Sequence, residues 1–204
     1  MTKLITKLYS GLNAKKYAKR RKKSNKWKFE TEFVETCLQK LSFKGDVADA
    51  PVGTNRFDNI WQRWDQESAI VGYDYSQPML KEATKNSKSQ IKLESLNLLA
   101  SQFSTPKTFD IVLSIRFLNL IDFENLCAAI KNLSSLTKNH LIITIRTQDF
   151  NEGSILIENK IYVHNQSQFI AMLERENFHI IEEQIFPEER LGNYTALHLQ
   201  KVIK

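Results

Sequence analysis

Residues 46–57 constrain the fold of this chain more than any other stretch. Small and apolar residues precede a proline and a glycine, as expected for a buried strand that ends in a tight turn. Gly53 accepts backbone angles that other residues resist, and Thr54 or Asn55 can cap a following helix. The stretch therefore predicts a strand–turn–helix unit, whose turn lets a ligand approach bare backbone at the carboxyl end of the strand.

Two carboxylates accompany this turn. Asp49 ends the first apolar run, where a charge needs a partner. Asp74 ends a second apolar run, twenty-one residues after Gly53. A carboxylate about 20 residues beyond a glycine turn is placed to accept hydrogen bonds from a ribose diol. The alternative is a surface aspartate at a helix start, but the preceding glycine turn favours ribose. Ser76 is predicted to cap the next helix.

The rest of the chain predicts an α/β fold. Further strands are expected over residues 91–96, 109–115 and 140–146, with helices over 29–41 and 122–137. This alternation predicts a doubly wound, mostly parallel sheet with helices on both faces. Right-handed crossovers would bring four site candidates to one edge of the sheet. These candidates are Gly53, Asp74, Asn97 and Ser114.

The C-terminal part changes character. Residues 155–163 are compatible with a hairpin, and residues 178–186 and 194–202 predict an antiparallel strand pair that closes a seven-stranded sheet. Cys37 and Cys127 are the only cysteines, and we expect two reduced, buried thiols in a cytoplasmic protein. No Cys-x-x-Cys or His-Glu-x-x-His spacing occurs, so no metal site is predicted.

The positive charge of the chain is confined to one end. The net charge is +6, yet residues 1–28 hold eleven Lys and Arg and no acid, whereas the remainder has 18 basic against 23 acidic residues. We divide the chain into a basic arm or lid, residues 1–28, and a domain, residues 29–204. The arm either meets an anionic partner, such as RNA, a membrane surface or an acidic substrate, or is a solvated terminus whose apolar face packs on the domain.

Two motifs resemble those of the class I S-adenosylmethionine-dependent methyltransferases, in the branch that acts on small molecules, quinones and lipids. Residues 49–57, Asp-Ala-Pro-Val-Gly-Thr-Asn-Arg-Phe, are similar to one form of the first motif. Residues 72–80, Gly-Tyr-Asp-Tyr-Ser-Gln-Pro-Met-Leu, resemble the second motif more specifically. The closing antiparallel pair resembles the seventh strand that separates this fold from nicotinamide-binding relatives.

The resemblance implies S-adenosylmethionine as cofactor and assigns roles to individual residues. Asp49 and the backbone near Gly53 would hold the methionine end, and Asp74 the ribose. Tyr75 and Met79 would line the adenine, with Asn97 and the Leu98 backbone at its amino group, while Ser114 and Arg116 would border the methyl-transfer site. The full implied set of cofactor-binding residues is Asp49, Ala50, Gly53, Thr54, Asp74, Tyr75, Met79, Asn97, Leu98 and Ser114. The candidate catalytic residues are Arg116, Tyr162 and His164.

The function expected from this resemblance is methyl transfer to a small-molecule or lipid-like acceptor. Two departures leave alternatives open, because Asn55 replaces a glycine of the motif and Val52 replaces the more usual cysteine or glycine. Asn tolerates left-handed backbone better than most residues. The alternatives are a degenerate protein that binds cofactor or a partner without chemistry, and an RNA methyltransferase that docks through the basic arm. A nicotinamide oxidoreductase is disfavoured because Gly-x-Gly-x-x-Gly is missing.

Overall fold

The structure, a computed structural model, describes residues 24–105, 107–158, 161–186 and 192–202. Most of the basic arm, residues 1–23, thus lies outside the described residues. The chain divides into two compact units, Met1–Asn97 and Leu98–Lys204. Among the described residues, no helix combines the length and apolar character needed to cross a membrane.

The described part of the first unit contains a three-stranded parallel sheet and three helices. The strands lie in the order β3–β2–β1 and pair in parallel. In chain order, the elements are α1 (Asn25–Lys40), β1 (Val47–Asp49), α2 (Asp58–Trp61), β2 (Ile70–Asp74), α3 (Gln77–Asn86) and β3 (Lys92–Ser95). Because β1 and β2 run in parallel with Asp49 opposite Gly72, their carboxyl ends lie at the same edge.

The helix starts follow capping side chains where the sequence provides them. The Ser76 hydroxyl accepts from the backbone N of Met79 at the start of α3, as predicted. At the start of α1, the Ser24 hydroxyl accepts from the Trp27 backbone N at 3.2 Å. This cap starts α1 four residues before the predicted position, so the proposed arm boundary at residue 28 falls inside the helix.

Gly72 allows close packing in the middle of this sheet. A Cβ atom at this position would lie 2.8 Å from Leu93 Cδ2 and 2.9 Å from Val52 Cγ2. Such distances are shorter than real contacts allow, so only glycine lets the Val52 side chain, just after β1, pack against β2 without displacing its neighbours.

The second unit is built around the long strand β5. This strand pairs in parallel with β4 and β7 and antiparallel with β9, while β6 pairs with β7 and β8 with β9, both antiparallel. Its elements are β4 (Phe109–Ser114), a short 3₁₀ helix (Leu118–Leu120), α4 (Phe123–Leu136), β5 (Thr137–Gln148), β6 (Ser154–Ile157), β7 (Ile161–Asn165), α5 (Gln166–Arg175), β8 (Phe178–Phe186) and β9 (Asn193–Lys201). The parallel strands, the intervening helices and the closing antiparallel pair confirm the predicted fold class.

Three local predictions need correction. Neither Thr54 nor Asn55 caps α2, because that helix begins only at Asp58, with Phe57 at the N-cap and no side-chain cap. Cys127 is exposed, whereas Cys37 is buried as predicted. The described residues form nine strands rather than seven, because the hairpin at 155–163 adds β6 and β7.

Candidate functional site

The loop between β1 and α2, residues 50–57, is held against the end of β2. The backbone N of Val52 donates to Tyr73 O at 2.7 Å, and that of Gly53 donates to Asp74 Oδ2 at 3.0 Å. Gly53 has a φ of 58° and Asn55 a φ of 57°. Two left-handed residues in so short a loop require glycine, or a residue such as Asn that tolerates this conformation.

The space beside Gly53 is open. A Cβ atom built on this residue would meet no other atom within 4 Å. The left-handed backbone therefore explains why residue 53 is a glycine, and crowding by neighbouring atoms does not. The open space exposes the loop backbone to a ligand at the carboxyl edge of β1 and β2, as the strand–turn–helix pattern predicts.

Asp49 is a buried carboxylate without a hydrogen-bond partner on one oxygen. Its side chain is 2% exposed, and among the described residues no donor reaches Oδ2. Burial raises the pKa of Asp49 to about 8; the Arg56 cation opposes this shift and the Asp74 charge adds to it. A buried acceptor of this kind costs free energy unless a donor pairs with it, so the site favours a ligand that brings a cation or strong donor.

Asp74 lies beside it and keeps capacity for further hydrogen bonds. Its Oδ1 accepts from the backbone N of Ser76 at 2.8 Å, and its Oδ2 from that of Gly53 at 3.0 Å. Burial raises the pKa of Asp74 to about 6, although these backbone donors oppose the shift. The Tyr75 backbone N is a third donor to this carboxylate, and because a carboxylate offers about four lone pairs, capacity remains for a ligand hydroxyl.

Arg56 connects this loop to α1 and was missed by sequence reasoning. Its guanidinium forms a buried ion pair with Glu30 at 2.5 Å and donates to the Trp27 carbonyl and the Thr31 hydroxyl at 3.0 and 3.1 Å. It also lies 4.1 Å from the centroid of the Trp27 ring, close enough for a cation–π interaction. The sequence signal for Arg56 was its place in the stretch 49–57 that resembles the first motif, but this match named no partner for the guanidinium.

The remaining predicted residues of the first unit differ in exposure. Ala50, Thr54 and Met79 are buried, at 0%, 7% and 1%, whereas Tyr75 is 52% exposed. The exposed ring of Tyr75 is available to a planar ligand. The Met79 side chain packs inside the unit, and Asn97 is half-buried.

The other predicted residues belong to the second unit. Ser114, at the end of β4, is fully buried, and its hydroxyl has no partner among the described residues. Arg116, two residues after Ser114, has a φ of 62°, and its backbone N donates to the Thr144 hydroxyl at 2.7 Å. The Leu98 carbonyl accepts from Asn132 at 2.9 Å.

His164 makes a structural contact within the second unit. It is fully buried, and its Nε2 donates to the Leu118 carbonyl at 2.9 Å, which joins β7 to the 3₁₀ helix. Burial lowers the pKa of His164, so the imidazole is neutral near pH 7, with its lone pair on Nδ1. Tyr162 stacks on it, with 6.3 Å between ring centroids and 23° between planes.

Comparisons with known proteins agree with this geometry. A family model described as a methyltransferase domain matches residues 47–140, and no curated protein matches the sequence. The fold is similar to that of magnesium protoporphyrin IX methyltransferase from Synechocystis PCC 6803, solved with bound S-adenosylhomocysteine. The two share 18% identity and a TM-score of 0.68, over 86% of this chain and 82% of that one.

Two further structures show the range of reactions within this fold. The 1,6-didemethyltoxoflavin-N1-methyltransferase of Burkholderia thailandensis has 13% identity and a TM-score of 0.64, over 85% of this chain and 77% of its own. The cyclase SpnF has 12% identity and a TM-score of 0.65, over 85% and 81%. Residues 47–140 thus match a methyltransferase domain, and the chain has the fold of these solved S-adenosylmethionine-dependent enzymes.

Proposed function

We propose that this protein transfers a methyl group from S-adenosylmethionine to a small-molecule acceptor. The observation that carries the proposal is the buried Asp49 carboxylate, whose Oδ2 has no partner within the described residues. It lies at the end of β1, beside a loop with open space at Gly53 and a second carboxylate, Asp74, at the end of β2.

The donors and acceptors of this site fit the cofactor. Asp49 would accept from the ammonium of the methionine end, which supplies the cation that a buried carboxylate needs. Asp74 would accept from the ribose diol with its remaining acceptor capacity, and the exposed Tyr75 ring would stack on the adenine. The cofactor supplies an electrophilic methyl group on a sulfonium, which is already a good leaving group.

The protein's share in such a transfer is to bind, orient and exclude water. His164 keeps a lone pair on Nδ1, but this atom is buried and the residue is 0% exposed, so it is a weak candidate for a general base. A nitrogen or thiolate acceptor needs no base, whereas a hydroxyl or carbon acid does. We therefore favour a small or lipid-like acceptor that presents a nucleophilic nitrogen or sulfur. The named acceptor of the Burkholderia enzyme is likewise a small molecule.

Isothermal titration with S-adenosylmethionine and S-adenosylhomocysteine tests the proposal. Because free Asp49 has a pKa of about 8 and an adjacent ammonium favours its charged form, binding at pH 7 should release close to one proton. Titration in buffers with different ionisation enthalpies measures this number.

Asp49→Asn should lose the proton release and weaken binding about 10-fold or more. The matched control is Asp46→Asn, at the other end of the same strand, where the carboxylate accepts from the Ala69 backbone N at 2.7 Å. The control should bind like the wild type. No binding by the wild type at millimolar ligand, or equal binding by Asp49→Asn, would refute the proposed site.

A protein that binds the cofactor without transferring the methyl group is the second candidate, because Asn55 replaces a motif glycine. The φ of 57° at Asn55 favours the active protein, since the loop keeps the backbone conformation that glycine would give. Turnover of a panel of nitrogen and sulfur acceptors, followed by formation of S-adenosylhomocysteine, separates the two. Turnover that appears only in Asn55→Gly would favour the degenerate protein.

We also propose that the basic arm binds an anionic partner, RNA or a membrane surface. The charge of residues 1–28 supports this, with eleven basic residues and no acid. A variant that lacks residues 1–23 should lose salt-dependent binding to single-stranded RNA or to anionic vesicles. It should retain its affinity for S-adenosylhomocysteine, and unchanged binding to both anionic probes would contradict the arm's role.

A further inference from the structure

We propose that Asp58 is a positioning residue, which fixes the cofactor-binding loop by holding the side chain of Asn55. This inference rests on the proposed function, because it concerns how the same loop is prepared for S-adenosylmethionine. It gives a physical role to Asn55, which stands where the motif has a glycine. A glycine would leave the loop free to move, whereas the asparagine side chain holds it in one conformation.

The first step is the pair of hydrogen bonds that Asn55 donates. Its Nδ2 lies 3.0 Å from Asp58 Oδ1 and 2.8 Å from Ser87 Oγ. Asn55 is 4% exposed and Asp58 is 6% exposed, so both groups are shielded from water. A glycine at this position could adopt the same φ, but it could make neither bond.

The second step is that Asp58 is itself fixed by several donors. It accepts from the Gln62 side chain at 2.7 Å, from the Ser89 hydroxyl at 2.6 Å, and from the backbone N of Lys88 and Ser89 at 3.0 and 3.1 Å. Burial acts to raise the pKa of Asp58, but these hydrogen bonds outweigh it and leave the pKa below its ordinary value. Asp58 is therefore a charged acceptor at neutral pH, and charged acceptors form the stronger hydrogen bonds.

The third step connects this network to the turn that follows α3. Asn86 donates from Nδ2 to the Thr54 carbonyl at 3.0 Å, and the Ser87 hydroxyl donates to the Ala83 carbonyl at 2.9 Å. Two consecutive loop residues, Thr54 and Asn55, are thus held by consecutive residues at the end of α3.

The last step leads to the ligand side of the loop. The backbone N of Gly53 donates to Asp74, the proposed ribose acceptor. Between this contact and the Asp58 network lies a single residue, Thr54. Fixing Asn55 from one side therefore fixes the direction of the Gly53 amide, and with it the orientation of the Asp74 carboxylate. Such preorganisation lowers the cost of binding.

The test is a double-mutant cycle in the affinity for S-adenosylhomocysteine. Asn55→Gly and Asp58→Ala should each weaken binding about 10-fold, and the double variant should be no weaker than Asp58→Ala alone, because both remove the same contact. At saturating cofactor, kcat should change less than threefold while KM for the cofactor rises, since the loop acts on binding.

The matched control is Gln62→Ala. It removes the 2.7 Å hydrogen bond to Asp58 Oδ2 but leaves the contact with Asn55, so it should bind within about twofold of the wild type. Ser87→Ala removes the second acceptor of Asn55 together with the hydrogen bond from Ser87 to the Ala83 carbonyl, and it should have an intermediate effect. It also provides a variant with a smaller change if Asp58→Ala fails to fold.

A second readout uses the free protein. Hydrogen exchange at the Gly53 amide should be faster in Asn55→Gly than in the wild type, and unchanged in Gln62→Ala. Equal or tighter binding by Asn55→Gly, or additive effects in the double variant, would overturn the inference. If the wild type binds no cofactor, the proposed function fails, and the hydrogen exchange of the Gly53 amide alone tests the positioning role. Faster exchange in Asn55→Gly supports this role, and an unchanged rate refutes it.

Discussion

Replacing Asp49 with asparagine should make the free protein more stable at neutral pH while it weakens cofactor binding. The folded state holds the Asp49 carboxyl in a buried position with a pKa of about 8, compared with an ordinary value of 3.8. Asparagine has nearly the same shape and no charge. The substitution therefore removes the cost of a buried ionisable group without creating a large cavity.

The sign and size of the effect follow from proton linkage. Between pH 3.8 and about 8, the folded state keeps a proton on Asp49 that the unfolded state has released. The free energy of unfolding of the wild type should therefore fall as pH rises through this window, by up to about 1.4 kcal/mol per pH unit relative to Asp49→Asn. Above the window the difference levels off, with an upper limit of roughly 6 kcal/mol.

Urea denaturation of both proteins at pH 5, 6, 7 and 8 measures this difference. Asp58→Asn is the control with opposite sign: its pKa is below the ordinary value, so its loss should destabilise the protein once the pH exceeds the ordinary pKa of an aspartate. A stability difference between wild type and Asp49→Asn that does not change with pH would refute the reasoning about Asp49.

The same variant separates stability from function. With saturating S-adenosylhomocysteine, the wild type should gain stability according to its affinity, whereas Asp49→Asn should gain much less. Adding the ligand should therefore narrow the difference in melting temperature between the two proteins. A binding role for Asp49 requires that its buried carboxyl group destabilises the free protein and stabilises the complex with the ligand.

Three further predictions concern other contacts. Gly53→Ala should destabilise the protein by about 1–2 kcal/mol through left-handed strain alone, since nothing lies within 4 Å of the added methyl; circular dichroism melts would show whether the loss is larger. Glu30→Ala should cost about 3–5 kcal/mol because it leaves a buried guanidinium unpaired, whereas Glu32→Ala, on an exposed 3.7 Å pair, should cost less than about 1 kcal/mol in urea titrations. The lowered pKa of His164 means that the unfolded state binds a proton first, so stability should fall below about pH 6.5; His164→Gln should reduce this acid sensitivity and retain turnover, and a loss of kcat would restore its candidacy as a catalytic base.

Local sequence patterns predicted most of the fold because their causes are local. The run from Ile70 to Asp74 is a strand, and the Ser76 side chain caps α3, as the apolar spacing and the capping residue indicate. The antiparallel pairing of β8 with β9 also agrees with its prediction, since a short connection between two apolar runs favours this pairing.

The errors arose where contacts distant in sequence decide the outcome. Cys127 is an exception, because the apolar stripe of α4 formed by Leu126, Ala129, Ile130 and Leu133 already leaves it outside the buried face. Arg56 is such a case, since its partner Glu30 is 26 residues away, and so is Asp58, whose donors lie about 30 residues further along the chain. Pairs of this kind need the fold before they can be recognised.

The asparagine at position 55 shows how far a motif alone can mislead. Judged against a glycine-rich pattern, it is a departure that casts doubt on cofactor binding. In the structure it has the left-handed backbone of a glycine, and its side chain makes two buried hydrogen bonds that glycine cannot make. The left-handed conformation costs an asparagine less than other side chains, and each bond contributes about 1 kcal/mol. These bonds offset the cost of the buried Asn55 Oδ1, which has no partner among the described residues. A residue that breaks the pattern can therefore strengthen the loop that the pattern describes.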